Sequence, residues 1–167
     1  MVNTTDKKTV FVHTEEGKTV EQNIRTSKKI NSFDLEKVCQ STITPDNQHL
    51  VVAKRDEDSG TDKYILEQHS LTTKTLVNSL DARGQVYSME FSKDDKILLV
   101  GYWKFIGIIQ MNSFEEITTE KVLEGVITSI ELSESNTLAF ISDGSYVKQL
   151  TWEPNANRDC LLYTSDA

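Results

Sequence analysis

Residues 86–103 read VYSMEFSKDDKILLVGYW. Val86, Met89 and Phe91 are apolar, with Ser88 and Glu90 between them, and a polar turn follows at Ser92-Lys93-Asp94-Asp95-Lys96. Ile97-Leu98-Leu99-Val100 is then unbroken. An alternating run, a polar turn and a short continuous apolar run predict a β-hairpin whose second strand is buried on both faces.

The pattern recurs upstream as VCQSTITPDNQHLVVA, residues 38–53, and downstream as ITSIELSESNTLAFIS, residues 127–142. With Thr44, Ser92 and Ser133 aligned, the flanks match without a gap. Phe91 falls on Ile43 and Leu132. Leu98-Leu99-Val100 falls on Leu50-Val51-Val52 and on Ala139-Phe140-Ile141. The turn openers are 48 and 41 residues apart. Multi-stranded repeats of about 40–45 residues are the signature of a β-propeller array. The expected fold is therefore all-β, an incomplete propeller of three four-stranded antiparallel blades plus an N-terminal half blade.

In chain order, Thr9–His13 and residues 19–24 are predicted as two outer strands around a turn at Glu15-Glu16-Gly17-Lys18, forming the half blade. Residues 25–37 are polar and predicted as a connector, with a single helical turn at 32–37. The full repeats span residues 38–80, 86–124 and 126–159, and the first contains an acidic loop at residues 55–62. Predicted third strands cover residues 63–69, 105–111 and 146–152. Predicted fourth strands cover residues 75–80 and 120–123. Asp143-Gly144 marks a tight turn.

Residues 86–95 and 43–47, with the run around 128–136, resemble the inner strand and turn of WD-repeat propellers, and Pro45-Asp46 matches best. The resemblance covers residues 38–153. The family's Trp-Asp dipeptide is replaced by Gln68-His69, Met111-Asn112 and Trp152-Glu153, so its His–Asp hydrogen-bond network is not expected here. Lactonase-like propeller repeats are similar almost as closely. Propellers close with about 4–8 blades, so three repeats and a half imply a fragment. Cys160-Leu161-Leu162-Tyr163-Thr164-Ser165-Asp166-Ala167 resembles the translation of an adapter used in preparing sequencing libraries. Native sequence is expected to end near Asp159, with residues 160–167 a non-native tail.

Composition narrows the function classes. The net charge of −8 argues against tracking nucleic-acid phosphates or an anionic membrane surface. Residues 1–30 carry six basic and four acidic residues, so the rest of the chain holds −10. Cys39 and Cys160 are too few for a disulfide framework or a zinc site and fit a reducing compartment. No run approaches the ~18 apolar residues of a membrane span. The N-terminus lacks a signal-peptide pattern, and a cytoplasmic location is expected.

No catalytic, cofactor-binding or metal-binding residue is predicted. His13, His49 and His69 show no metal-ligand spacing, and no G-x-S-x-G, P-loop or Rossmann fingerprint occurs. Lys37-Val38, Gln85-Val86 and Val126-Ile127, at the inner-strand starts, supply no polar ring. Two groups remain as candidate partner-binding residues. Tyr102, Trp103 and Lys104 form an aromatic and basic cluster with Phe105, for which inter-blade packing is the competing reading. Asp56, Glu57 and Asp58 form an acidic loop suited to a basic partner. The expected function is a non-enzymatic scaffold for other proteins, without small-molecule ligands. The alternative is a lactonase-like hydrolase with its catalytic groups in further blades.

Overall fold

A computed structural model describes residues 2–3, 9–14, 18–56, 62–133, 135, 138–153 and 161–165. Those residues form four four-stranded antiparallel sheets, each an up-and-down meander. The first holds β1 (Val2–Asn3), β2 (Thr9–His13), β3 (Lys18–Asn23) and β4 (Lys29–Asp34). The second holds β5 (Val38–Ile43), β6 (His49–Asp56), β7 (Lys63–Ser70) and β8 (Leu76–Ala82). The third holds β9 (Ser88–Phe91), β10 (Ile97–Gly101), β11 (Trp103–Gln110) and β12 (Glu115–Val126). The fourth holds β13 (Ser129–Leu132), β14 (Leu138–Ser142), β15 (Val147–Glu153) and β16 (Leu161–Ser165). The chain divides into two compact units, Met1–Arg83 and Gly84–Ala167, of two sheets each. No helix among the described residues is long and apolar enough to cross a membrane.

The repeated turn has one physical cause. The Thr44 backbone N–H donates to the His49 carbonyl, and the Thr44 hydroxyl accepts from the His49 N–H at 3.0 Å while donating to Asp46 Oδ1. Asp46 Oδ1 also accepts from the Gln48 N–H. Ser92, Asp94 and Ile97 repeat the arrangement, with the Ser92 hydroxyl donating to Asp94 Oδ1 at 2.7 Å and accepting from the Ile97 N–H at 3.0 Å. At the third turn the Ser133 hydroxyl accepts from the Leu138 N–H, and Ser135 stands where the Asp stood. The fourth turn position needs a left-handed backbone. Asn47 (φ 57°) and Asp95 (φ 59°) fill it, being residue types that tolerate this region.

The second strand is buried on both faces in the first two repeats, as its unbroken apolar run predicts, whereas in the third Phe140 of β14 is exposed. Leu50 to Ala53 and Leu98 to Gly101 are buried at consecutive positions, so both faces of β6 and β10 are covered. Within the first unit, Leu50 and Val52 pack with Ile43 against Phe11, Phe33 and Leu35 of the first sheet and its exit. Within the second unit, Leu99, Ile106, Ile108 and Val122 of the third sheet pack against Ile130, Ala139, Ile141 and Leu150 of the fourth.

The N-terminal segment corrects the half-blade expectation: it is a complete four-stranded sheet. Thr9–His13 and Lys18–Asn23 are its second and third strands rather than outer ones. The connector expected at 25–37, with its helical turn, is replaced by β4. Its polar composition hides one apolar anchor: Phe33 is buried at 4% exposure and pairs with Thr19, while Ile30 faces solvent. β1 has two residues, too few for a periodic signal. At the other end, Leu161–Ser165, expected to lie outside the fold, pairs with β15 as β16. An open sheet edge takes up an extended segment through backbone hydrogen bonds, whatever its side chains.

Candidate protein-interaction surface

The predicted aromatic cluster sits where β10 turns into β11, and the structure divides it. Tyr102 is buried at 4% exposure. Its ring lies over Gly107, where an added Cβ would meet Tyr102 Cε2 at 2.8 Å. The Tyr102 N–H donates to the Phe105 carbonyl at 2.8 Å, and its carbonyl accepts from the Ile127 N–H at 3.2 Å. Tyr102 thus ties the strand connection to the start of the fourth sheet.

Trp103 points the other way, at 61% exposure, and Phe105 is exposed with it. The pairing of β11 with β12 shifts register between Trp103 and Phe105, and Lys104 between them has a left-handed backbone, φ 69°. Such irregularities re-aim side chains at sheet ends. The Lys104 ammonium lies 4.9 Å from the Trp103 ring centroid and 3.1 Å from Glu124 Oε2. Lys121 also pairs with Glu124. Hydrogen bonds from Lys121 and Lys104 hold the Glu124 carboxyl below its usual range. The cation over the indole restricts that ring, contributing about 0.5–1 kcal/mol at an exposed site.

The fourth sheet extends this surface. Trp103 opposes Val126. At the preceding Gly125 a Cβ would stand 2.9 Å from Asp143 Oδ2, so any larger residue there would displace the Asp143 side chain that β12 approaches. Asp143 Oδ1 accepts from the N–H groups of Ser145 and Tyr146 at 2.9 Å each. Those bonds, Tyr146 first, hold the Asp143 carboxyl low. Gly144 takes φ 88°, as the Asp143-Gly144 turn predicts. The turn presents Tyr146 at 72% exposure and Val147 at 68%. One end of the second unit therefore displays Trp103, Phe105, Tyr146 and Val147 beside a Lys–Glu ion pair.

The acidic candidates lie in the first unit. Asp56 ends β6, half-buried, opposite Lys63. Glu57 and Asp58 lie outside the described residues. At the same strand ends, exposed Asp62 pairs with Arg55, and Lys63 pairs with Asp81 at 2.9 Å.

Two polar groups escape the sequence reading. On the face of the second sheet that meets the first, Glu67 Oε1 lies 2.8 Å from Lys54 Nζ and Glu67 Oε2 lies 2.9 Å from His69 Nε2. Burial pushes the Glu67 carboxyl up, but the hydrogen bonds from His69 and Lys54 outweigh it, and it titrates below its usual range. Nearby, His13 Nδ1 is 2.8 Å from Thr19 Oγ1 and Nε2 is 2.6 Å from Ser41 Oγ, crossing from one sheet to the next; burial lowers the His13 pKa. The signal for the first was the spacing Glu67-Gln68-His69, which puts the outer two side chains on one strand face. In the second unit, desolvation of Glu90 on β9, with the like charge of Glu131 as the lesser cause, pushes its carboxyl up to about 7.

No family model and no curated protein matches the chain. Solved structures do. The β-propeller domain of Cps50 (Swd1) from Myceliophteria thermophila superposes with a TM-score of 0.73 at 15% identity, covering 98% of this chain and 56% of that one. Kuenenia stuttgartiensis hydrazine synthase superposes at 0.69 with 16% identity, covering 90% of this chain and 44% of that one. The chain thus spans about half the length of these structures. At such identities the likeness shows the fold alone, a β-propeller, as the repeats predict.

Proposed function

We propose that this chain is a non-enzymatic protein-interaction scaffold of the cytoplasm, and that it docks partner proteins on the end of the Gly84–Ala167 unit carrying Trp103. The observation that carries this reading is Trp103 itself. It is a large aromatic side chain, 61% exposed, restrained by Lys104 and next to a buried Tyr102. Interface anchors are rigid aromatics that lose little entropy on binding, and Trp, Tyr and Arg dominate hot spots. Tyr146 adds a second anchor of the same kind. Fold analogy with a propeller domain supports a scaffold only in class, since propellers host many functions.

Quantitative affinity capture from a cell extract tests the reading with wild type, Trp103→Ala and Lys93→Ala in parallel. Loss of a hot-spot aromatic costs about 2 kcal/mol or more. The proposal expects a set of proteins retained by wild type and Lys93→Ala and depleted by at least about tenfold with Trp103→Ala. Identical capture by all three overturns the assignment of the surface. Turnover of lactones by the purified chain overturns the non-enzymatic reading.

A further inference from the structure

The cation that lies over Trp103 belongs to the chain itself, and it is weakly held. The Lys104 ammonium is 4.9 Å from the indole centroid and 3.1 Å from Glu124 Oε2. The Lys104 side chain keeps 29% of its surface in water, and that of Glu124 keeps 73%. An exposed ion pair of this kind contributes little, because water and salt screen both charges. Glu124 has a second cation in Lys121, so its carboxylate does not depend on Lys104 for neutralisation. The backbone at Lys104 is left-handed, φ 69°, which costs a lysine conformational energy. The chain thus holds an ammonium on an exposed indole by contacts that an incoming cation can replace.

An indole face attracts a cation through its quadrupole, and a carboxylate beside it supplies the hydrogen-bond acceptor. Arginine suits both parts best. Its guanidinium is planar and stacks on the ring, it donates two parallel hydrogen bonds to a carboxylate, and it is more weakly hydrated than an ammonium. The charge of the unit points the same way. Residues 84–153 hold five basic against eleven acidic residues, a net charge of −6, whereas residues 1–83 hold twelve against thirteen, a net charge of −1. At Gly125, next to Glu124, the chain also meets the carboxylate of Asp143, which backbone hydrogen bonds hold in its charged form. A field of that sign steers a basic partner to this unit.

We propose that the Trp103 end takes an arginine side chain of its partner protein, and that Lys104 is a placeholder which this arginine displaces from the ring and from Glu124. The inference rests on the reading of that end as the docking surface. In the free chain Lys104 keeps the indole oriented. It also sets a threshold: a partner's lysine, alike in kind, gains nothing by the exchange, whereas an arginine gains the stack and the second hydrogen bond.

The test selects peptides from a random displayed library with the full chain and measures their binding by calorimetry. The bound sequences should share an arginine. Replacing it with citrulline, neutral and of the same shape, should abolish binding, and replacing it with lysine should weaken binding by about fivefold or more. Lys104→Gln removes the competing cation and should tighten binding of the arginine peptide by about twofold to fivefold. In that background Glu124→Gln should weaken it by about fivefold. Trp103→Ala should abolish it, and Lys93→Ala should leave it unchanged. A selection that enriches nothing, or peptides without arginine, overturns the proposal. So does a lysine peptide that binds wild type as well as the arginine one, or a Lys104→Gln variant that binds no tighter. Binding that Trp103→Ala leaves intact removes the docking surface as well. Binding that Trp103→Ala abolishes and citrulline does not keeps the surface and sinks this inference alone.

Discussion

Between the first and second sheets, His13 reaches Ser41 and Glu67 holds both His69 and Lys54. Between the third and fourth sheets, Leu150 stands at the register position of His69 and Lys148 at that of Glu67. The surrounding core there is Leu99, Ile106, Ile108, Ile127 and Ile141. The same repeat therefore packs its neighbour in two ways: in Met1–Arg83 a polar network accompanies the apolar cluster of Phe11, Phe33, Leu50 and Val52, whereas in Gly84–Ala167 the contact is aliphatic. A buried network is specific in geometry and exposed to titration, whereas aliphatic burial is insensitive to pH. The second unit has its own titrating group, Glu90, but with the opposite sign.

The signs follow from the direction of each shift. His13 and Glu67 have lowered values in the fold, so the stability they give is present above their ordinary values and lost as pH falls through the lowered ones. Glu90 is raised to about 7, so its contribution is present below the ordinary carboxylate range and lost as pH rises through about 7. Between about pH 5 and about pH 8 the lowered carboxyls of Glu67, Asp94, Glu124 and Asp143 stay charged. In that window falling pH weakens the first unit through His13, and rising pH weakens the second through Glu90.

The largest expected effect is Leu99→Asp. It places an unpaired charge in the aliphatic interface, at a cost of several kcal/mol, and should abolish cooperative unfolding of the second unit in denaturant titrations followed by circular dichroism. Glu67→Ala strands Lys54 and His69 and should cost about 2 kcal/mol, read as a lower midpoint in the first unit's unfolding. If the polar network is dispensable, that midpoint stays put and the contrast between interfaces collapses. Glu90→Gln should sharpen the contrast by removing the second unit's loss of stability above about pH 7, while the acid response of the first unit stays unchanged. Ser92→Ala removes the hydroxyl that bonds both Asp94 and the Ile97 N–H and should cost about 1 kcal/mol. Lys93→Asp, in the same turn but exposed, should stay within about 0.5 kcal/mol. Equal effects from those two would contradict the turn assignment.

The hairpins were legible because their cause is local. Thr44, Ser92 and Ser133 each open a turn by bonding the residue five positions on, and an apolar strand follows each turn, interior on both faces after Thr44 and Ser92. The first sheet was half hidden because β4 offers one buried aromatic, Phe33, among polar neighbours. The surface was legible in part: composition put Tyr102, Trp103 and Lys104 together, but only the register shift at Lys104 separates buried Tyr102 from exposed Trp103. Tyr146 and Val147 join them through the approach of Gly125 to Asp143, a contact between sheets that no sequence window contains. Glu90 and Glu131 read as ordinary polar alternation, since desolvation by a neighbouring sheet leaves no local mark.

The opposed pH responses are tested most directly by hydrogen exchange with mass-spectrometric peptide resolution at about pH 5 and about pH 8, corrected for the intrinsic rate. The amides of Leu50 to Ala53 report the first unit and those of Leu98 to Gly101 the second. The account predicts that acidification lowers protection in the first set and raises it in the second. Protection moving in the same direction in both sets contradicts it.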